Sequence, residues 1–207
     1  LKSKKHTDVI EGTIKGYTRS NHDALNYYLT NSFGWLTPNT DYARLQMEAG
    51  KKNHTFGKTS ASLYYMYKFR PRLTGHFSVN GQYSWGKNLD SSEQFYIGGP
   101  NAVRAFTSGE ANGDAGVLGT AELRYDTKCK GLQLTAFYDI GYARYDAHRA
   151  SLNGDNYCTL AGAGIGLMYT KSRNYYIKLD WAFPLTDDSD HNDDLKSRLW
   201  FRFVKQI

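Results

Sequence analysis

An all-β fold, a transmembrane antiparallel β-barrel, is predicted by three observations. Apolar or aromatic residues alternate with polar ones at period two in segment after segment. Strand formers are plentiful, with Tyr 17, Phe 10 and Trp 4, while Pro is scarce at 4. Mean hydropathy is −0.63, and no run approaches the ~18 apolar residues of a membrane helix, so strands are the route left through a bilayer.

Each element follows from that period. Val9 to Thr18, Ala24 to Trp35 and Ala43 to Ala49 carry it faintly and are expected as strands. In Ala61 to Phe69 the set Ala61, Leu63, Tyr65, Tyr67 and Phe69 opposes Ser62, Tyr64, Met66 and Lys68. Phe77 to Trp85 divides more cleanly, with Phe77, Val79, Tyr83 and Trp85 against Ser78, Asn80, Gln82 and Ser84. Gly116 to Asp126 sets Val117, Ala121, Leu123 and Tyr125 against Thr120, Glu122 and Arg124. Leu132 to Tyr142 sets Leu134, Ala136, Tyr138 and Ile140 against Thr135, Phe137, Asp139 and Gly141. Ala161 to Tyr169 opposes a glycine row, Gly162, Gly164 and Gly166, which either leaves room for the loop's backbone to pass close or marks a bend in the strand. Tyr175 to Phe183 carries Lys178 and Asp180 on its polar side, and Leu199 to Phe203 carries Trp200 and Arg202. The total is about ten strands, each near the ~9 to 11 residues that cross a bilayer when tilted.

The aromatics separate a membrane barrel from a soluble one. Tyr125, Tyr138, Tyr142, Tyr169, Tyr175, Trp181 and Phe183 lie on the apolar face, several near strand ends where interfacial girdles sit. A soluble barrel with a tyrosine-rich core is the alternative. Connections alternate between short (Arg70 to Thr74, Asp126 to Gly131, Lys171 to Asn174) and long (Asp146 to Asn156, Thr186 to Lys196), as when turns face the periplasm and loops face outward. The net charge of +6 is scattered singly along the strands and forms no stripe for nucleic acid. The opening Leu1-Lys2-Ser3-Lys4-Lys5 lacks a signal peptide's apolar run, and without an initiator Met the chain reads as a piece of a longer one.

One connection is outsized. Some thirty residues, 86–115, join two strong strands, and their own apolar content, Phe95-Tyr96-Ile97 and Val103-Arg104-Ala105-Phe106 around Gly98-Gly99-Pro100, implies a folded, functional loop. Here the residues carry a resemblance. Asn88-Leu89-Asp90-Ser91-Ser92-Glu93-Gln94-Phe95-Tyr96-Ile97-Gly98-Gly99-Pro100, then Val103-Arg104-Ala105-Phe106, Gly113-Asp114, Glu122-Leu123-Arg124-Tyr125 and Phe137-Tyr138-Asp139-Ile140-Gly141, resemble the signature of TpsB transporters, the outer-membrane proteins of two-partner secretion. The assembly factor BamA shares the broader superfamily. The family usually has Gly where Ala105 stands and an aromatic where Ile207 ends the chain.

That resemblance implies a sixteen-stranded barrel in the outer membrane of a Gram-negative bacterium, with residues 1–207 supplying its C-terminal strands, the loop folded into the lumen, and the periplasmic POTRA domains and early strands lying outside the sequence. It implies a monomeric barrel among lipid and lipopolysaccharide that exports a large TpsA-type exoprotein of the haemolysin or haemagglutinin kind, with no cofactor and no enzymatic step. It also implies that Arg104 locks the loop to Asp139 through a bidentate guanidinium–carboxylate pair. The loop motif Gly98, Gly99, Pro100, Val103 and Phe106 and the strand motif Phe137 and Gly141 frame that pair. In a wet pore its worth is expected to be about 0 to 1 kcal/mol. Glu122, Arg124, Lys178, Asp180 and Arg202 are expected to line the conduit with mixed charge, over which an unfolded chain slides without a deep minimum.

A BamA-like assembly factor and a diffusion porin are the alternative functions. The acid run Asp187 to Asp194 lacks the turn Gly and distal Glu of a calcium loop and reads as solvated surface. Cys129 falls in a short turn and Cys158 near the opposite rim, about a bilayer apart, which excludes a bridge between them. The histidines are isolated, and no catalytic order of Ser, His and Asp is present.

Overall fold

Period-two alternation puts successive side chains on opposite faces of a strand, so one extended antiparallel sheet is the simplest fold for this chain. The computed structural model describes residues 4–50, 52–148, 155–171, 174–186 and 197–205. The acid run Asp187 to Asp194 lies outside them. The strands are β1 (Lys5–Arg19), β2 (Asp23–Pro38), β3 (Thr55–Arg70), β4 (Leu73–Ser84), β7 (Ala115–Asp126), β8 (Leu132–Arg144), β9 (Tyr157–Lys171), β10 (Tyr175–Pro184) and β11 (Arg198–Lys205). Among the described residues these nine form one antiparallel meander in the order β1-β2-β3-β4-β7-β8-β9-β10-β11. The sheet is not closed, and β1 and β11 are its two edges. The remaining pair, β5 (Phe95–Tyr96) and β6 (Asn112–Gly113), is a small ladder within the long loop.

Two expectations are corrected. Ala43 to Ala49 is not a strand: Asp41–Ala49 forms the helix α1, so among the described residues nine long strands stand where about ten were expected. Ala43, Leu45, Met47 and Ala49 imitate strand alternation, but Ala43 and Met47, one helical turn apart, are the buried pair. Thr40 caps the helix by accepting from Ala43 N–H at 3.2 Å. The strands also vary in length more than a bare bilayer crossing requires: β1 and β9 have 15 residues, β2 and β3 have 16, and β11 has 8.

The two faces of the sheet differ in kind. Along β8 the burial alternates almost perfectly, with Leu134, Tyr138, Ile140 and Tyr142 exposed while Thr135, Phe137 and Asp139 are buried. Val117, Leu123 and Tyr125 on β7 and Trp181 and Phe183 on β10 extend the exposed apolar side. The buried cluster lies on the other side, which we call the inner face. There Ile97, Val103, Ala105, Phe106 and Ala111 of the loop meet Leu118, Phe137, Ala143, Leu160 and Ala182 of the strands. The tyrosine-rich face is therefore no dry core; the loop makes the core. Cys129 is exposed in its turn and Cys158 is buried.

Removing the α1 cap isolates one element. Thr40→Ala is expected to cost α1 about 1 kcal/mol, seen as faster proteolysis within residues 39–54 with amide exchange in β8 unchanged.

Candidate functional site

The loop doubles back on itself at its tip. Val103 N–H donates to the Ile97 carbonyl at 2.9 Å and Ala102 N–H to the Gly99 carbonyl at 3.0 Å, with Gly99 at φ 124°, a conformation that favours glycine. This tight turn over Gly98, Gly99 and Pro100 pushes Val103 to Phe106 down onto the inner face. Val103, Arg104, Ala105 and Phe106 are all buried.

Glycines on the sheet make that approach possible. A methyl group added at Gly141 would lie 2.9 Å from Ile97 Cβ and 3.2 Å from Val103 Cγ2, and one added at Gly162 would lie 2.6 Å from Ala105 Cβ. The row on β9 thus receives the loop at Gly162, the Phe137 ring at Gly164 and the Asp180 carboxylate at Gly166. Ala105, which stands where a glycine is usual, uses its methyl to fill the space opposite Gly162.

Arg104 is held by almost every polar atom it has. Its Nε donates to Asp139 Oδ2 at 2.8 Å and its Nη2 to Asp139 Oδ1 at 2.9 Å, a bidentate fork, while its backbone N–H adds a bond to Oδ2 at 3.2 Å. Nη1 donates to Glu122 Oε1 at 2.7 Å and lies 3.8 Å from Asp180 Oδ2. The guanidinium carbon sits 3.4 Å above the Phe137 ring. Each carboxylate comes from a different strand: Glu122 from β7, Asp139 from β8, Asp180 from β10.

The wet-pore expectation is wrong. The Arg104 side chain is 4% exposed and that of Asp139 1%, because the loop's own apolar residues close over them. The pair is a buried one, where removal of either partner strands a charge at a cost of about 3 to 5 kcal/mol.

The other charged residues divide. Arg124 pairs with Glu122, and Lys178 lies 2.8 Å from Asp180, so three cations and three carboxylates balance in one network. Asp180 is buried beneath the loop, whereas the half-buried Glu122, together with Arg124 and Lys178, lines a cavity of about 700 Å³ that also touches Arg104. His76, Asn26 and Ser78 share its lining, at the short-turn end of the strands. Arg202 stands apart and donates to Asn101 Oδ1 at 2.8 Å. The three converging carboxylates are neutralised by the chain's own cations, and no group of His, Cys, Asp or Glu is arranged for a metal among the described residues.

A second cluster, at the loop's neck, involves motif residues to which the sequence reading gave no contact. Asn88 and His148 exchange bonds, Asn88 Nδ2 to the His148 carbonyl at 2.8 Å and His148 N–H to Asn88 Oδ1 at 2.7 Å. Asp114 is wholly buried and accepts from Leu89 N–H at 3.0 Å, Gln94 Nε2 at 3.1 Å and Ala147 N–H at 2.9 Å, fastening both ends of the loop to the segment after β8. Burial pushes its carboxyl up from the ordinary range despite those bonds. Asp90 lies 2.6 Å from Lys5 Nζ and 3.5 Å from Lys52 Nζ. Burial alone would raise its carboxyl, but the Lys5 bond and the Lys52 charge hold it below the ordinary value. Trp200 and Asn101 at the tip were also unassigned; a Trp on the charged side of a strand was the available signal for the first.

Comparison with known proteins follows this geometry. A profile of the family described as Haemolysin secretion/activation protein ShlB/FhaC/HecB matches residues 2–169. The heme/hemopexin transporter protein HuxB of Haemophilus influenzae strain 86-028NP is 30% identical over 135 residues, covering 63% of this chain and 23% of that protein. HuxB of Haemophilus influenzae strain KW20 / Rd is 29% identical with the same coverage. The chain spans about a quarter of the length of these curated relatives.

Two outcomes test the site's build. Gly141→Ala should displace the loop and cost about 1 to 3 kcal/mol in urea unfolding, whereas Gly119→Ala, whose methyl would lie 3.4 Å from Ile140 Cγ2, should be nearly silent. Because the Asp90 carboxyl is depressed, its stabilisation is present at neutral and mildly acid pH and is lost as pH falls below the ordinary carboxylate range. Amide exchange at Lys52, corrected for intrinsic rate, should therefore accelerate only in that acid window. In Asp90→Asn it should already be fast at pH 7.

Proposed function

The chain belongs to the haemolysin secretion/activation family ShlB/FhaC/HecB, and on that premise we propose that it forms the C-terminal part of an outer-membrane translocator that exports a partner exoprotein from a Gram-negative cell. In this reading the exposed Tyr, Trp and Leu face lies against lipid and the inner face lines the conduit. Strands supplied by the rest of the protein close the sheet into a barrel, and periplasmic domains deliver the cargo.

The observation that carries the reading is the Arg104–Asp139 fork beneath a loop that fills the inner face. An empty diffusion pore has no use for a loop whose tip is fixed by three strands. The secretion family's long motif, Asn88 to Pro100, sets the reading apart from a barrel-assembly factor. Arg104 acts as the lock and Asp139 as its socket, with Glu122 and Asp180 sharing the charge. Arg124 and Lys178 face the cavity below the tip, where a passing polypeptide meets mixed polarity with no deep binding minimum. Transport then requires the tip to leave its socket and to be recaptured by it, so a variant whose tip cannot reseat leaves the loop misplaced in the conduit and secretes less.

The test compares three variants of the full-length transporter. Breaking a buried pair costs about 3 to 5 kcal/mol, and ~1.4 kcal/mol is a tenfold change in an equilibrium. Arg104→Ala and Asp139→Asn are therefore expected to lower secretion at least about tenfold while the barrel still shows heat-modifiable migration and reaches the outer membrane. Arg104→Lys, which keeps the charge and loses the fork, should fall between them and wild type. Equal loss of assembled barrel and of secretion in all three would refute the reading.

A further inference from the structure

The loop tip touches one strand for which the lock has no need. Trp200 Nε1 donates to the backbone carbonyl of Arg104 at 2.6 Å, and two residues on, Arg202 Nη2 donates to Asn101 Oδ1 at 2.8 Å. Positions 200 and 202 share the inner face of β11 and lie directly across the ladder from Asp180 and Lys178. Consecutive inward-facing residues of β11 therefore grip Asn101 and Arg104, the two ends of one short turn.

The identity of that strand gives the contacts their meaning. Among the described residues β11 pairs with β10 over eight residues, Arg198 to Lys205. This eight-pair ladder is the shortest between neighbouring long strands of the described residues, so few backbone bonds on that side hold β11. Two side-chain bonds from its inner face to the loop supply fastening that β10 alone does not. They converge on the residue whose side chain is forked to Asp139 on β8, so Arg104 ties β8 to β11 through its own backbone across the intervening β9 and β10.

We propose that Trp200, seconded by Arg202, is a positioning residue that couples the loop tip to the edge strand: with Arg104 seated on Asp139, β11 is held in place, and when the tip leaves, β11 is released. This rests on the secretion reading only for its purpose, since the coupling itself is a statement about two elements of the fold. Its consequence is that clearing the conduit and loosening β11 are one event. By thermodynamic reciprocity, a disturbance of β11 must loosen the loop as much as a disturbance of the loop loosens β11.

That reciprocity sets the experiment, in the full-length transporter reconstituted in lipid vesicles with Cys129→Ser and Cys158→Ala. Trp200→Phe keeps the ring and removes only the N–H. It should raise the maleimide labelling rate of Ala102→Cys at the loop tip roughly fivefold, the scale of one net hydrogen bond, with heat-modifiable migration unchanged. In the other direction, Asp139→Asn should increase the mobility of a nitroxide at Leu199→Cys on β11 and leave one at Leu134→Cys on β8 unaltered. Adding Trp200→Phe to Asp139→Asn should change neither signal further, since the link is already broken. Wild-type labelling in Trp200→Phe, or an unmoved nitroxide on β11 in Asp139→Asn, overturns the proposal. If Trp200→Phe does not assemble, Arg202→Gln with the same two signals decides it. Secretion is scored separately: responding labels with unchanged export leave the coupling standing and remove the transport reading.

Discussion

A guanidinium placed in a nearly dry site is the constraint around which this fold is arranged. Removing a cation from water costs several kcal/mol even after relaxation, and only well-placed opposite charge and full hydrogen bonding offset that. Arg104 receives both, from carboxylates on β7, β8 and β10 together with the Phe137 ring. Three separate strands must hold their register for one loop residue to be accommodated. A register slip of one residue in β8 would turn Asp139 to the outer face and leave Arg104 without its fork.

Bringing the tip that close is a matter of what the sheet omits. Gly141 and Gly162 carry no side chain where Ile97, Val103 and Ala105 arrive, so the loop contributes the apolar mass that the strands lack on that face. The division of labour between the faces follows. Outward positions spend their aromatic and aliphatic groups on the surroundings, and inward positions are small or charged, so the sheet has no hydrophobic core until the loop supplies one. Packing and the ion lock therefore stand or fall together.

Much of this was legible from residues, for reasons that differ by level. Seven of the long strands announce themselves by clear alternation and β1 and β2 more faintly, because a half-covered sheet imposes period two on its sequence. α1 was misread because Ala43, Leu45, Met47 and Ala49 alternate by coincidence, and only the buried pair Ala43 and Met47 reveals the helical turn. The partnership of Arg104 with Asp139 came from the motif, since no pattern in one dimension states which of several carboxylates a distant arginine will meet. Its dryness was hidden for a related reason: exposure of a charge on an inward face depends on whether something covers it, and the cover here is a loop whose path local periodicity does not encode. The neck contacts of Asn88, Asp90 and Asp114 join segments 20 to 85 residues apart and were equally beyond reach.

On the proposed reading, the balance of charge also says which residue would call the loop back. If Arg104 withdraws, Glu122 retains Arg124 and Asp180 retains Lys178, so those carboxylates keep a partner. Among the described residues Asp139 has its ion pair with Arg104 alone, and withdrawal leaves it exposed to the cavity with no cation of its own. The asymmetry concentrates the penalty of opening on one carboxylate, so opening is costly without being prohibitive and the return has a defined target. A network of six equally shared charges would tolerate the absence of Arg104 too well to recapture it. A solitary Arg–Asp pair, without Glu122 and Asp180 to share the burden of burial, would hold the arginine less firmly in the closed state.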